Sequence, residues 1–472
     1  MFRKIWLGSV SVAALACASS LAGAQTSAIN GGGAAGDGYD YAGSPYVING
    51  VTYTSEFTLY NSTTTGATFG TYWSTNSGTA QQAFLNDDLT CDINKVTGNN
   101  GGLCSNTPGG GDSVYFAASQ ATLNSTQETT WATNSYGQTI ARDLIQLPAL
   151  GESVAIPVQD TGLTTNGGVQ LSDHDLCEIF SGGYTNFSQI TDSNPAPAAG
   201  TISLVYRVDG AGTTFLLTNH LGFTYNGSYV CTPGTDTPAG FTYSTTTKFA
   251  TLFGAGNYSC DSSTGQCTIT GGPLVNTAIG VSSLTAMQTE MESLSQAIGY
   301  ISPDFTTVVP TSPHPGTLVV AALANGRHTY LPTTTAIATA LTHGTTGDSN
   351  LNPPADASAG ANPNAWIPLL GKVTAGYSIV GYSTLDLAQC YADPTIGASI
   401  LAFLTDHYNN SSYIAIQNDN GLVGVTRTGA VKFVQTINKH IIGNEGSKKK
   451  AWNINIQNTT YCGNGPGQFP GR

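Results

Sequence analysis

The segment Arg207-Val208-Asp209-Gly210-Ala211-Gly212-Thr213-Thr214 gathers a guanidinium, a carboxylate, two glycines and two hydroxyls into eight residues. The apolar run Ile202–Tyr206 before it reads as a strand, and Phe215, Leu216 and Leu221, stopped by Gly222, read as a helix after it. A glycine-rich turn between strand and helix aims free backbone N–H groups and the positive end of the helix dipole at one point. Arg207 adds a planar two-pronged donor there, and Asp209 is near enough to hold that fork in place. The assembly is suited to receive an anion. The competing reading is a plain strand–turn–helix with a surface Arg–Asp pair, which would contribute little.

A second turn, Ser74–Gly78, precedes a helical pattern over Thr79–Asn86. Ser77 there either caps the helix, the commoner use, or offers its hydroxyl to a ligand. Gly31-Gly32-Gly33 reads as a turn without the context of a dinucleotide fold. The sequence has no GxSxG elbow, HExxH or Walker loop, so no enzyme is expected. Histidines 174, 220, 314, 328, 343, 407 and 440 are scattered away from any nucleophile and read as surface or internally satisfied residues. No CxxC or His-rich cluster suggests a metal, and no cofactor is expected.

Around these residues, short β-rich runs alternate with amphipathic helices, which is the α/β pattern. Strands are expected at Ser113–Ala118, Ser153–Val158, Ile202–Tyr206, Ala297–Ile301 and Tyr377–Gly381. A capping box opens a helix at Ser172, ended by Gly182–Gly183, and Ala398–Tyr408 should bury Ile400, Leu401, Leu404 and Tyr408. Stretches 31–38, 94–111, 234–262 and 332–363 read as surface loops.

The first 24 residues have the layout of a cleaved export signal, with Arg3 and Lys4 before an apolar run and Ala22-Gly23-Ala24 at the cleavage position. A lipid anchor on Cys17 is the lesser alternative. A periplasmic or secreted protein is expected. The formal net charge of −13 makes nucleic acid a poor partner. It also means that an anion site must act through local hydrogen bonds and helix dipoles. Cys91, Cys104, Cys177, Cys231, Cys260, Cys267, Cys390 and Cys462 form an even set in an exported chain, which argues for disulfides. The close pairs Cys91/Cys104 and Cys260/Cys267 read as loop staples.

Ile29–Ala34 (INGGGA) resembles the N-terminal motif of the DING-type branch of the periplasmic phosphate-binding proteins. Further similar blocks follow in family order: Val114–Leu123, Ser153–Pro157, Leu176–Gly182, Val205–Thr214, Ile298–Asp304, Ile379–Tyr391 and Asn458–Gly463. The resemblance implies a type 2 periplasmic-binding-protein fold, two doubly wound α/β lobes joined by two crossing strands. Lobe limits of 25–158 and 370–472 for the first lobe and 159–369 for the second follow from it. It also implies Cys177–Cys231 and Cys390–Cys462 pairs, and phosphate held by amides, hydroxyls, one arginine and one proton-accepting aspartate.

Carried over, the ligand set becomes Gly36, Ser77, Gln120, Arg207, Gly212 and Thr213, with Asp209 in support. Ala35 and Ala211 stand where the family has hydroxyls, and Gln120 where it has the aspartate. Each lost hydroxyl removes about 1.5–3 kcal/mol, so phosphate affinity is expected to fall roughly a hundredfold or more. The neutral Gln120 amide can turn its NH2 toward a fully deprotonated anion, shifting preference to sulfate-like or organic guests. The implied role is binding inorganic phosphate or a similar small anion, with an ABC importer as a possible membrane partner. The alternatives are a surface or structural protein with a degenerate pocket and, third, a secreted phosphatase.

Overall fold

The computed structural model describes residues 28–43, 46–48, 51–92, 113–133, 137–160, 163, 165–262, 264–309, 316–345, 347, 351–445 and 451–472. The export signal with Cys17, the stretch 94–111 with Cys104, and His314 lie outside the described residues.

Glycines with no side chains to cover a sheet still form the strand Ala28–Ala34, an interior member of the larger sheet. The neighbours fill the space that the glycines leave. A Cβ on Gly33 would lie 2.1 Å from the Tyr72 hydroxyl, which donates to the Ala34 carbonyl at 2.8 Å. The expected turn at Gly31–Gly33 is therefore a strand, and much of the expected surface loop 31–38 is buried strand and helix.

Six strands form this sheet in the order Val423–Gly424, Leu144–Ser153, Val380–Ala388, Phe116–Ser119, Ala28–Ala34 and Thr68–Thr75. Ala28–Ala34 runs parallel to Thr68–Thr75 and Phe116–Ser119, whereas Val380–Ala388 returns antiparallel to Phe116–Ser119 and Leu144–Ser153. A second sheet orders Ala278–Val281, Ser203–Arg207, Ala297–Ile298 and Val158–Gln159, the first three mutually parallel. A smaller sheet joins His328–Tyr330, Ala322–Asn325 and Gln170–Leu171. Along the segment that leads from the first sheet to the second, isolated bridges pair Ala155 with Ile301 and Pro157 with Val320.

Several expected boundaries move. The strand expected at Tyr377–Gly381 occupies Val380–Ala388, where Ser383, Thr384 and Asp386 are fully buried. Polar residues on a strand covered on both faces hid it from a search for apolar runs. Ser113–Ala118 becomes Phe116–Ser119, and Ala297–Ile301 shortens to Ala297–Ile298. Ser153–Val158 is split, with only its two ends in strands, Leu144–Ser153 and Val158–Gln159. The expected loop 332–363 contains the helices Thr334–Leu341 and Ala357–Gly360, and 234–262 contains Phe249–Phe253 and Tyr258–Cys260.

The Ser172 capping box is present, with Asp175 N–H donating to Ser172 Oγ at 3.2 Å and Ser172 N–H donating back to Asp175 at 2.8 Å. The late helix starts at Pro394, capped by Asp393, and buries Phe403 where Leu401 was expected. Phe403 closes an aromatic cluster with Tyr41, Phe57 and Phe69. Disulfides join Cys177–Cys231, Cys260–Cys267 and Cys390–Cys462, and Cys91 is also disulfide-bonded. No helix among the described residues is long and apolar enough to cross a membrane.

Candidate functional site

The strand Ser203–Arg207 ends in a turn that opens the wholly buried helix Gly212–Leu221. Ala211 precedes the helix and has no side-chain oxygen to cap it, and its first turn holds no acid. The leading N–H groups and the dipole are thus left for another acceptor. Arg207 is only 3% exposed. Its Nε donates to Asp209 Oδ1 at 2.8 Å and its Nη2 to Oδ2 at 2.7 Å, a closed fork. Because a guanidinium has five N–H donors, three hydrogens remain outside this pair.

The backbone is pinned as well. Arg207 N–H donates to the Tyr300 hydroxyl at 2.9 Å, and that hydroxyl pairs with Thr214 Oγ1 at 2.8 Å. Thr213 Oγ1 is buried with no hydrogen-bond partner. A hydroxyl in that state costs free energy unless a guest satisfies it.

Facing this turn is the helix Ser77–Asn86. The expectation that Ser77 caps it is corrected by the structure. Asn76 is the cap, accepting from Thr79 N–H at 2.9 Å. Ser77 Oγ instead accepts from the Gln120 backbone N–H at 3.1 Å. Gly78 N–H donates to the Gly210 carbonyl at 3.1 Å, tying the two turns together.

Glycine at 212 is required by crowding, since a Cβ would lie 2.2 Å from Gln120 Cβ and 2.5 Å from Ser77 Oγ. Gly36 lies near the other end of Gln120, where a Cβ would fall 2.8 Å from Nε2 and 2.9 Å from Ser302 Oγ. Gly36, Ser77, Gln120 and Gly212 therefore meet at one place. Arg207, Asp209 and Thr213 belong to the strand–helix turn that Gly212 completes. All stand just beyond the carboxyl ends of parallel strands, where open α/β sheets place their ligands.

Gln120 Nε2 donates one of its two hydrogens to Glu152 Oε2, which leaves one for a guest. Glu152 and Asp37 are electrostatic neighbours, each acting on the other's ionisation. Burial pushes Asp37 up to about 7, against the contact with Glu152, and Asp304 adds like-charge repulsion. Burial and the neighbouring Asp37 charge also push Glu152 well above the usual carboxylate range. Burial raises Asp304 to about 7. Asp37, Glu152 and Asp304 escaped sequence reading because their partners are distant in the chain and their sequence neighbours carry no motif.

A PBP superfamily domain matches residues 33–363. The chain belongs to the PBP superfamily. Its fold is the type 2 periplasmic-binding-protein fold. A high affinity periplasmic phosphate-binding protein, solved bound with phosphate, superposes with a TM-score of 0.63 at 25% identity, covering 92% of this chain and 97% of its own. A phosphate-binding protein from Stenotrophomonas maltophilia gives 0.65 at 22% identity, covering 94% and 100%. In sequence, alkaline phosphatase L of Pseudomonas aeruginosa is 29% identical over 430 residues, 90% of each chain. A phosphate-binding protein from an unknown prokaryotic organism is 30% identical over 316 residues, 63% of this chain and 73% of that one. This superfamily member thus has DING-type and phosphate-binding proteins as structural neighbours.

Proposed function

We propose that this chain is an exported solute-binding protein that holds phosphate or a related oxyanion between two lobes. The observation that carries the reading is the buried Arg207–Asp209 fork beside the uncapped helix Gly212–Leu221, with the Thr213 hydroxyl buried and unpartnered. Fixed donors, a helix dipole and an unsatisfied hydroxyl together stabilise a compact anion without help from the protein's net negative charge. Gly36 and Gly212 supply close backbone approach, Ser77 and Thr213 supply hydroxyls, and Gln120 sets the far wall. The phosphate-binding relatives support phosphate as the first guest to try.

Strand membership supports lobe limits of 25–158 with 370–472, and 159–369. Delivery to an ABC importer fits the superfamily and an export signal. Isothermal titration with phosphate, sulfate and a phosphomonoester tests the reading. Saturable binding of at least one is expected. Heat-silent titrations with all three would overturn it in favour of a structural protein with a degenerate pocket.

Hydrolysis of phosphomonoesters is the second reading, favoured by relatives named alkaline phosphatase L that match 86–90% of this chain. Turnover of p-nitrophenyl phosphate, with and without divalent metals, separates the two readings.

A further inference from the structure

Asp37 and Glu152 are sealed from solvent, at 0% and 1% exposure. Both Asp37 oxygens and Glu152 Oε1 are buried without a protein donor. Two neighbouring carboxyls sealed from water with three of their four oxygens lacking a donor hold a proton between them, because ionising both would place like charges together in a low-dielectric interior. Gln120 links the pair to the site. Its backbone N–H is held by Ser77 Oγ, its Nε2 by Glu152, and its Cβ lies against Gly212. The pair thus stands one side chain from the place where Gly36, Ser77, Gln120 and Gly212 meet.

The surroundings favour keeping the proton. Asp304 faces Asp37 from the turn Pro303–Phe305. Asp40, on Asp37's own helix, is itself pushed well above the usual carboxylate range by burial and by the charges of Glu56 and Asp37. Tyr72 lies nearby on the strand Thr68–Thr75, with Asp92 beyond, and the strand Val380–Ala388 offers only the neutral Ser383 hydroxyl. Glu56 is paired with the buried His407 at 2.7 Å, and the other titratable neighbours named here are acids. An oxyanion on the other side of Gln120 adds further negative charge. Anion binding and proton retention must then favour each other, and by linkage the effect is reciprocal.

We propose that Asp37 and Glu152 are the specificity-determining proton store of this site: the protein keeps the proton on the pair, Gln120 transmits the pair's charge to the pocket, and a fully deprotonated dianion binds to the protonated pair. This rests on the anion site proposed above. It assigns two residues, neither in the ligand set read from the sequence, to the choice between protonation states of the guest.

Sulfate is the probe, because it stays a dianion across the whole range. Titrations from about pH 6 to about pH 9 on the wild-type protein should show the Kd for sulfate rising toward the alkaline end, by up to about tenfold per pH unit, the slope of one coupled proton. Heats in two buffers of different ionisation enthalpy should show about one proton taken up per sulfate at the alkaline end. Glu152→Gln and Asp37→Asn should flatten the profile. A wild-type Kd independent of pH, a slope unchanged in both variants, or phosphate binding without sulfate binding at the acid end would overturn this inference and leave the anion site standing. Failure of both anions to bind the wild-type protein at any pH would overturn the anion site and this inference with it. Should the variants misfold, proton uptake by the wild-type protein decides.

Discussion

Gly212 lies so close to Gln120 that no side chain fits between them, with a Cβ at 212 falling 2.2 Å from Gln120 Cβ. The two residues belong to turns that follow strands of different sheets, so their contact measures how tightly the halves of the site are shut. Gly212→Ala should force the turns apart. Oxyanion affinity is expected to fall by roughly tenfold or more, on the order of a lost hydrogen bond to a charged group, with a larger radius of gyration by small-angle scattering. Unchanged affinity and dimensions would contradict the closeness of this contact.

Arg207→Lys replaces a planar fork by a point charge that cannot hold both Asp209 oxygens. Because both residues are buried, a weakened pair should cost about 2–3 kcal/mol of unfolding free energy in urea. Oxyanion binding should drop at least about tenfold by calorimetry.

Gln120→Asp would restore the residue that the phosphate-binding family resemblance implies, but here it removes the donor to Glu152. It places a third acid beside Asp37 and Glu152. The single variant should melt below the wild type by an equivalent of about 2 kcal/mol, and adding Glu152→Gln should recover most of the loss. A single variant as stable as the wild type would show that the Gln120–Glu152 bond does not matter.

Buried acids also set the response of the fold to pH. Burial lifts Asp37, Asp92 and Asp304 to about 7 and Asp386 to about 8. A carboxyl with a raised folded-state pKa stabilises fully below its unfolded value, near 4, and loses that contribution as pH rises through the folded value. Melting temperature should therefore fall between about pH 5 and about pH 8. Asp386→Asn, which cannot ionise, should reduce the slope.

Cys390–Cys462 closes a loop with a sequence separation of 72. Replacing both cysteines by serine should cost about 4 kcal/mol, most of it through the larger freedom of the unfolded chain. Denaturant melts with oxidised wild type as reference would measure this.

The amino-acid order alone determined much of the strand–turn–helix proposed to receive the anion. Arg207, Asp209 and the glycines that follow are neighbours in the chain, so a strand–turn–helix puts them together wherever the rest of the fold goes. The Ser172 capping box, the Gly182 stop and the Cys260–Cys267 staple were legible for the same reason, since each is a local interaction. Ser77 was legible only as a choice between capping and binding, and in the structure Asn76 one residue earlier takes the cap.

Only tertiary structure decided what surrounds that receptor. Val380–Ala388 carries buried polar residues, so alternation gave no strand signal. Gly31–Gly33 read as a turn because glycine alone does not reveal that Tyr72 and Phe116 press against it. Gln120 and Glu152 are 32 positions apart, and Asp37 joins them from a helix near the start of the described chain. Hydrogen bonds between such distant positions leave no spacing to recognise. The direction in which Gln120 turns its amide, and hence its link to Glu152, is fixed by packing between sheets rather than by local sequence.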